Sequence, residues 1–246
     1  MSTALKLDVL AFGAHPDDVE LGCAGTLLVE SMRGKKTGII DLTSGELGTR
    51  GNAALRAEES SQAAEILGLS ARENLGLADG FFRIDESSQR KVIQAIRKYQ
   101  PDIILCNAPS DRHPDHGRAA TLVSESAFLS GLSKIETEEE GKSQNAWRPR
   151  YVFHYVQDRY LQPDFLVDIT NCFDKKMESI KAFESQFYQE GITGPQTYIS
   201  TPGFMENIVN RLKLFGKIIG VEYAEGFLTE KKIGIRNFDA LIQNQT

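Results

Sequence analysis

The sequence predicts an α/β fold, a Rossmann-like, mostly parallel sheet with helices on both faces and any active site at the carboxyl ends of the strands. Three observations carry this reading. Short apolar runs alternate with helical patterns through the first half, as in crossover units. The connections are short, which suits parallel strands with both sheet faces covered. Two histidine-bearing segments, His15 to Asp18 and His113 to His116, each follow the carboxyl end of an expected strand, the edge at which open α/β sheets bind ligands.

Leu7 to Phe12 is an apolar run that reads as a buried strand ending at Gly13-Ala14-His15-Pro16. Leu21 to Met32 follows as a helix. Gly38 to Leu42 is the second strand, and Ala53 to Leu67 carries Ala, Glu, Leu and Ile at helical spacing. Arg72 to Leu77 is a short third strand. Ser87 to Tyr99 is amphipathic, with Val92, Ile93, Ile96 and Tyr99 on one face, and Pro101 stops it. Asp102 to Asn107 is a further buried strand and Gly117 to Leu129 a helix. In the second half, Ser133 to Ala146 is polar and rich in Glu, an exposed loop. Tyr151 to Val156 and Phe165 to Ile169 read as strands, and Lys175 to Phe187 and Met205 to Ile219 as helices. Between those helices lies a Gly/Pro/Thr stretch, Gly191 to Gly203, suited to a lid or an oligomer contact. No repeat or linker interrupts the chain, so residues 1–246 are expected to form a single domain.

The chain has 246 residues, 41% hydrophobic and 25% charged, enough to bury a full core without a metal or disulfide. A metal would therefore be held for chemistry. The net charge of −6 and the lack of a Lys/Arg block argue against nucleic acid. No signal peptide or run of about 18 apolar residues is visible, so the expectation is a cytoplasmic protein with no membrane partner. Cys23, Cys106 and Cys172 are odd in number and far apart, without a C-x-x-C pair. That fits a reducing compartment and three small buried hydrophobes.

Three of the four histidines sit among closely spaced aspartates, in Ala14-His15-Pro16-Asp17-Asp18-Val19-Glu20 and Asp111-Arg112-His113-Pro114-Asp115-His116-Gly117. A catalytic zinc takes three protein ligands and leaves a position for water. His15 and Asp18 from one strand end and His116 from another can supply them. Adjacent Asp17 cannot easily point the same way as Asp18, so it is free to act as a base. His113 is placed to stabilise an oxyanion and to protonate a leaving amine. Asp115 could hydrogen-bond His113, orienting it and favouring its imidazolium form. One such segment alone is usually a solvated turn, with Asp17 or Asp18 capping the following helix; two at the same sheet edge make that reading poor. His154, inside an expected strand, reads as an ordinary core or surface histidine.

The pairing of A-H-P-D-D-V-E after a first strand with R-H-P-D-H about one hundred residues later resembles the LmbE-like, or PIG-L, deacetylase family. Asp41 to Gly51, Leu55 to Glu59, Glu184-Ser185-Gln186-Phe187 and Tyr223-Ala224-Glu225-Gly226-Phe227 extend the likeness over nearly the whole chain. It implies a zinc enzyme that removes acetyl from N-acetylglucosamine-type amides. By motif, the metal ligands would be His15, Asp18 and His116, the base Asp17, the acid or oxyanion stabiliser His113, and its orienting partner Asp115. A His/His/Asp set would also take Fe2+ or another divalent metal. Within the family the sequence looks most similar to the bacillithiol-biosynthesis deacetylases acting on N-acetylglucosaminyl malate; diacetylchitobiose or another N-acetylated sugar is the alternative. Arg56 and Arg112 match arginines that the family places at the substrate, and Arg50 is a further candidate; guanidinium forks suit the malate carboxylates. Similar members assemble as trimers or hexamers, so a homo-oligomer is expected.

Two other classes compete. His15-x-Asp17 with a distant His also fits a non-haem iron oxygenase, but those sites sit in all-β barrels. A non-catalytic sugar or nucleotide binder would be expected to lack Asp17 or His113. Its glycine segment, Gly45 to Gly51, is G-x-x-G-x-x-G rather than the dinucleotide fingerprint.

Overall fold

The computed structural model describes residues 5–187 and 195–241. In chain order its elements are β1 (Val9–Gly13), α1 (Asp18–Gly22), α2 (Ala24–Met32), β2 (Thr37–Thr43), α3 (Ala53–Leu67), β3 (Ala71–Leu77), α4 (Glu86–Tyr99), β4 (Ile103–Asn107) and α5 (Pro114–Leu129). There follow β5 (Glu138–Glu139), β6 (Lys142–Ser143), β7 (Tyr151–Tyr155), β8 (Phe165–Asp168), α6 (Phe173–Lys181), α7 (Pro202–Ile219) and β9 (Ala224–Thr229). Seven strands form one sheet in the order β3-β2-β1-β4-β7-β9-β8. The first five run parallel, in register Val9 with Thr37 on one side and Val9 with Ile103 on the other. β9 pairs antiparallel with both β7 and β8.

Every residue of β1 and β2 is buried, as parallel strands covered on both faces must be. Alternation along β1 assigns the layers. Leu10 and Phe12 pack with Val92 and Ile96 of α4 and Leu122 and Val123 of α5. Val9 and Ala11 pack with Val19, Leu27 and Leu28 on the opposite face. α6 and α7 add a further layer, through Ile180, Phe204, Ile208 and Leu212. The chain steps outward from β1 to β3 and then returns to place β4 on β1's other side. That reversal opens a crevice between the carboxyl ends of β1 and β4.

Four expectations need correction. The helix expected from Leu21 to Met32 is two helices, broken at Cys23 (φ −148, ψ 15). The break is held from far away. Glu225 of β9 accepts from the backbone N–H of Gly25 (2.9 Å) and Thr26 (2.7 Å) and from the Thr26 hydroxyl (2.6 Å), satisfying the start of α2. Lys176 of α6 pairs with Glu225 at 2.8 Å and donates to the Glu20 and Leu21 carbonyls at the end of α1. The helix expected to reach Phe187 stops at Lys181, because Glu59 captures Ser185 through its backbone N–H (2.7 Å) and hydroxyl (2.8 Å). β9 itself was not expected as a strand. The polar loop Ser133 to Ala146 contains the small hairpin β5–β6. Of the stretch 191–203, residues 191–194 lie outside the described residues, and α7 already begins at Pro202, its N1 position. All three cysteines are buried. Among the described residues no helix is long and apolar enough to cross a membrane.

Candidate metal centre and active-site cavity

The turn after β1 does two opposite things with neighbouring carboxylates. Asp17 adopts φ 108, a left-handed conformation that costs a non-glycine residue about 1–3 kcal/mol. Its side chain caps nothing. The carboxylate turns to Arg56, whose Nη2 lies 3.3 Å away. Asp18 faces the other way. It accepts from the His15 N–H (2.9 Å), from Asn107 Nδ2 (3.1 Å) and from Gln157 Nε2 (2.7 Å), so residues after β1, β4 and β7 hold it.

The turn after β4 is ordinary by contrast. His113 has extended backbone and caps α5, Pro114 starts the helix, and His116 lies buried one turn along. The two turns bring the rings of His15, His113 and His116 to centroid separations of 4.6–5.7 Å.

Hydrogen bonds determine which nitrogens face inward. His15 Nε2 is occupied by Asp79 (3.0 Å) and Asp115 (3.3 Å), leaving Nδ1 toward Asp18 Oδ2 at 3.5 Å. His116 Nδ1 is occupied by Asp111 (2.7 Å), leaving Nε2 toward Asp18 Oδ1 at 3.1 Å. Carboxylates on the outer ring nitrogens are the usual support of metal-bound imidazoles. Donor atoms around a tetrahedral zinc stand roughly 3.3–3.6 Å apart, as bond lengths of about 2.0–2.2 Å require. The 3.5 Å pair falls in that range and the 3.1 Å pair just short of it. Two sets of donor atoms also lie within 4.8 Å of one another, those of His15, His113 and His116 and those of His15, Asp79 and Asp115, and His113 is the competitor for the third position. Its Nδ1, however, accepts the Asp115 backbone N–H at 3.2 Å, which places its own hydrogen on Nε2 and leaves Asp18 the better third ligand.

The charge balance points the same way. Burial would push Asp18 up, but His116 and His15 beside it hold its carboxyl well below the usual range. Burial opposes charge on His116 too, and Asp18 with Asp111 lifts it to about 9. Asp17 behaves differently. Burial, with the like charge of Asp18 and against Arg56, raises it to about 7.

Asp115 was expected to hydrogen-bond His113 and favour its imidazolium form; its side chain makes no such bond, and the pull of its charge toward the imidazolium is outweighed. One oxygen pairs with Arg118 (2.6 Å), and the other accepts from the Gly80 N–H (2.8 Å) and faces His15. At the second residue of α5 its carboxylate points back across the helix start, so only its backbone meets His113. Burial, then the neighbouring His15 and His116, lowers the His113 pKa, favouring the neutral ring. Arg50 is also displaced. Its Nε donates to the Ser185 carbonyl (3.0 Å) and it does not line the cavity. Arg56 is buried between Asp17 and Gln186, rather than paired with Glu59 on a helix surface. Gly45 makes that possible: at φ +63 a side chain there would be strained and would collide with the Arg56 guanidinium. Arg112 lies on the rim, donating to Asp158 (3.1 Å) and stacked 4.4 Å over Tyr198. The supporting residues Asp79, Asp111, Asn107 and Gln157 were not singled out in sequence. Asp79 and Asn107 stand at or just past the ends of β3 and β4, a positional signal that could have found them. His154 is buried on β7 and holds the Asn107 carbonyl at 2.8 Å, so it props the support of Asp18.

These groups line a cavity of about 300 Å³ that contains His15, Asp17, Asp18, His113 and His116 with Arg56, Arg112 and Arg211. Its far wall is Tyr198, Ile199, Phe204 and Ile208.

Comparison with known proteins places the chain among similar sequences and folds. Residues 10–127 match the family model described as PIG-L, GlcNAc-PI de-N-acetylase. Diacetylchitobiose deacetylase of Thermococcus kodakarensis is 28% identical over 229 residues, 89% of this chain and 81% of that one. A probable N-acetyl-alpha-D-glucosaminyl L-malate deacetylase of Bacillus anthracis is 26% identical over 75% of this chain and 88% of its own. A 4-oxalmesaconate hydratase of Pseudomonas putida is 27% identical over 76% of each chain. The crystal structure of a conserved protein from Thermus thermophilus superposes with a TM-score of 0.82 at 34% identity, covering 93% of this chain and 97% of that one. Both histidine turns at the β1/β4 crevice lie within residues 10–127, which form a PIG-L, or LmbE-like, family domain.

Proposed function

We propose that the protein is a zinc-dependent N-deacetylase that hydrolyses the acetamide of an N-acetylglucosamine-type sugar, with N-acetylglucosaminyl malate as the favoured substrate. The observation that carries the reading is the divergence of Asp17 from Asp18: one carboxylate is committed to two imidazoles, and its neighbour is free beside them with a pKa of about 7. A general base works best when its pKa lies near the working pH.

His15 through Nδ1, Asp18 and His116 through Nε2 would hold the ion, and two neutral imidazoles with one carboxylate suit zinc. When bound, zinc supplies a Lewis acid that polarises the acetyl carbonyl and lowers the pKa of water. Asp17 takes a proton from the attacking water. The oxyanion that develops on the carbonyl oxygen accepts a hydrogen bond from His113 Nε2–H, whose direction is fixed by the backbone bond to Nδ1. The C–N bond breaks as the proton on Asp17 passes to the leaving nitrogen, giving acetate and the free amino sugar. His113 thereby serves as an oxyanion donor and the neutral ring is the active form. Arg56 keeps the Asp17 carboxylate oriented and partly charge-compensated.

The malate preference draws on the arginines at the cavity and on the Bacillus anthracis relative. The test is acetate release from N-acetylglucosaminyl malate, N-acetylglucosamine and diacetylchitobiose by protein loaded with zinc or stripped by chelator. Zinc-dependent turnover favouring the malate glycoside is expected. Better turnover of diacetylchitobiose would keep the chemistry and reassign the substrate. No acetate from any of the three would reject the deacetylase reading in favour of chemistry such as the hydratase relative's.

A further inference from the structure

Among the described residues, the cavity wall contains a cation with no anion of its own. Arg211 lies on α7 seven residues after Phe204 and three after Ile208, and all three line the cavity. Phe204 and Ile208 are buried, so the guanidinium interrupts an apolar helix face. Among the described residues no carboxylate is recorded in an ion pair with it. Its Nη2 donates to the Leu21 carbonyl at 3.3 Å, and its Nε–H is buried with no partner. Burial lowers the guanidinium from its ordinary value.

The carboxylates that act on it from farther away, Asp158, Asp111 and Glu225, are engaged elsewhere. Asp158 accepts from Arg112 Nε and the Tyr198 hydroxyl, each at 3.1 Å. Asp111 accepts from His116, from the Arg112 N–H and from the Arg159 N–H. Glu225 belongs to Lys176 and the start of α2. A half-buried charge without a counter-ion is costly, and a ligand anion in the cavity would lower that cost. Arg112 stacks on Tyr198, and the Tyr198 hydroxyl feels the charge of both arginines. The wall of the cavity beyond the histidines thus presents two guanidiniums with Asp158 between them.

We propose that Arg211 binds a carboxylate on the aglycone and so selects acidic glycosides of the amino sugar over neutral ones. The sugar end of this assignment rests on the deacetylase reading; the anion site rests on the cavity wall alone. Arg211 also touches Leu21 at the end of α1, so a purely structural role has to be separated from recognition.

The experiment compares the affinity of zinc-loaded protein for two deacetylated, unreactive ligands, glucosaminyl malate and methyl glucosaminide, in wild type and Arg211→Gln. The expected result is tighter binding of the malate glycoside by wild type and a fall in that preference by about ten- to a hundredfold in the variant, the size of one charge-assisted hydrogen-bonded pair. A structural role would weaken both ligands together and leave the ratio unchanged, which overturns the proposal. So does a wild type with no preference. Arg211→Lys keeps the charge while losing the fork, and serves as the second variant if the glutamine protein does not fold; it should keep only part of the preference. Acetate release is read separately, so loss of the deacetylase reading and loss of the anion site give different results.

Discussion

The turn after β1 and the turn after β4 bring His15 and His116 to the same carboxylate, Asp18, by opposite means. The first is strained and buried: Asp17 sits at φ 108 so that two adjacent carboxylates can point apart. The second is a relaxed proline-started helix with His113 as cap and His116 one turn later. The imidazole of the first turn faces inward through Nδ1 and has two carboxylates behind it, Asp79 and Asp115. That of the second faces inward through Nε2 and has one, Asp111. Strain is stored where a base and a ligand must be neighbours and must not act alike. Where donor and ligand can be separated by a helical turn, none is needed.

The largest effect should come from the strained turn. Asp17→Asn keeps the shape and removes the base, so kcat should fall by about 10²- to 10⁴-fold while bound zinc, measured by elemental analysis, is retained. Loss of zinc instead would make Asp17 a ligand. His113→Ala in the relaxed turn removes a single oxyanion donor, and a fall of about 10²- to 10³-fold in kcat is expected with metal retained. A near-normal rate would remove His113 from the reaction.

The supports should differ by their redundancy. Asp111→Asn leaves His116 with no carboxylate behind it and should weaken zinc binding about 10- to 100-fold. Asp79→Asn leaves Asp115 on the same nitrogen and should cost less than about tenfold. Competition with a chelator measures both, and equal losses would show the two supports to be equivalent.

The smallest effect is on pH dependence. The Asp17 pKa is raised to about 7, so its carboxylate is present above that pH and protonated below it. The rate constant kcat/KM should therefore climb through about pH 7 and fall about tenfold per pH unit below it. Arg56 pulls that pKa down, so Arg56→Gln should move this limb to higher pH. A limb that stayed in place, or moved down, would separate it from Asp17.

What could be read in the sequence was what local pattern encodes. The apolar runs Leu7 to Phe12 and Asp102 to Asn107 announced β1 and β4, and the doubled His/Asp motif announced which loop residues would meet. What could not be read depends on distant parts of the chain. Leu21 to Met32 has continuous helical character, and the break at Cys23 exists because Glu225, some two hundred residues later, caps Gly25 and Thr26. The partner of Asp115 turned on where its helix points the carboxylate, which the i, i+2 spacing to His113 does not reveal. Arg50 stood beside the right loop, but its guanidinium turned toward Ser185. Asp79 was a lone acid in a loop, indistinguishable by composition from a solvated one, and Asp111 stood in the histidine segment with nothing local to show that it would meet His116.

The Glu225–Lys176 pair has a consequence for the timing of synthesis. Both histidine turns have left the ribosome well before the clamp on α1 and α2 is made. Lys176 holds the carbonyls at the end of the short helix that begins with Asp18, and Lys176 is itself held by Glu225. A growing chain therefore carries its ligands long before it can fix them. With the proposed ligands, a chain halted before Glu225 should exchange its ion far faster than the completed protein.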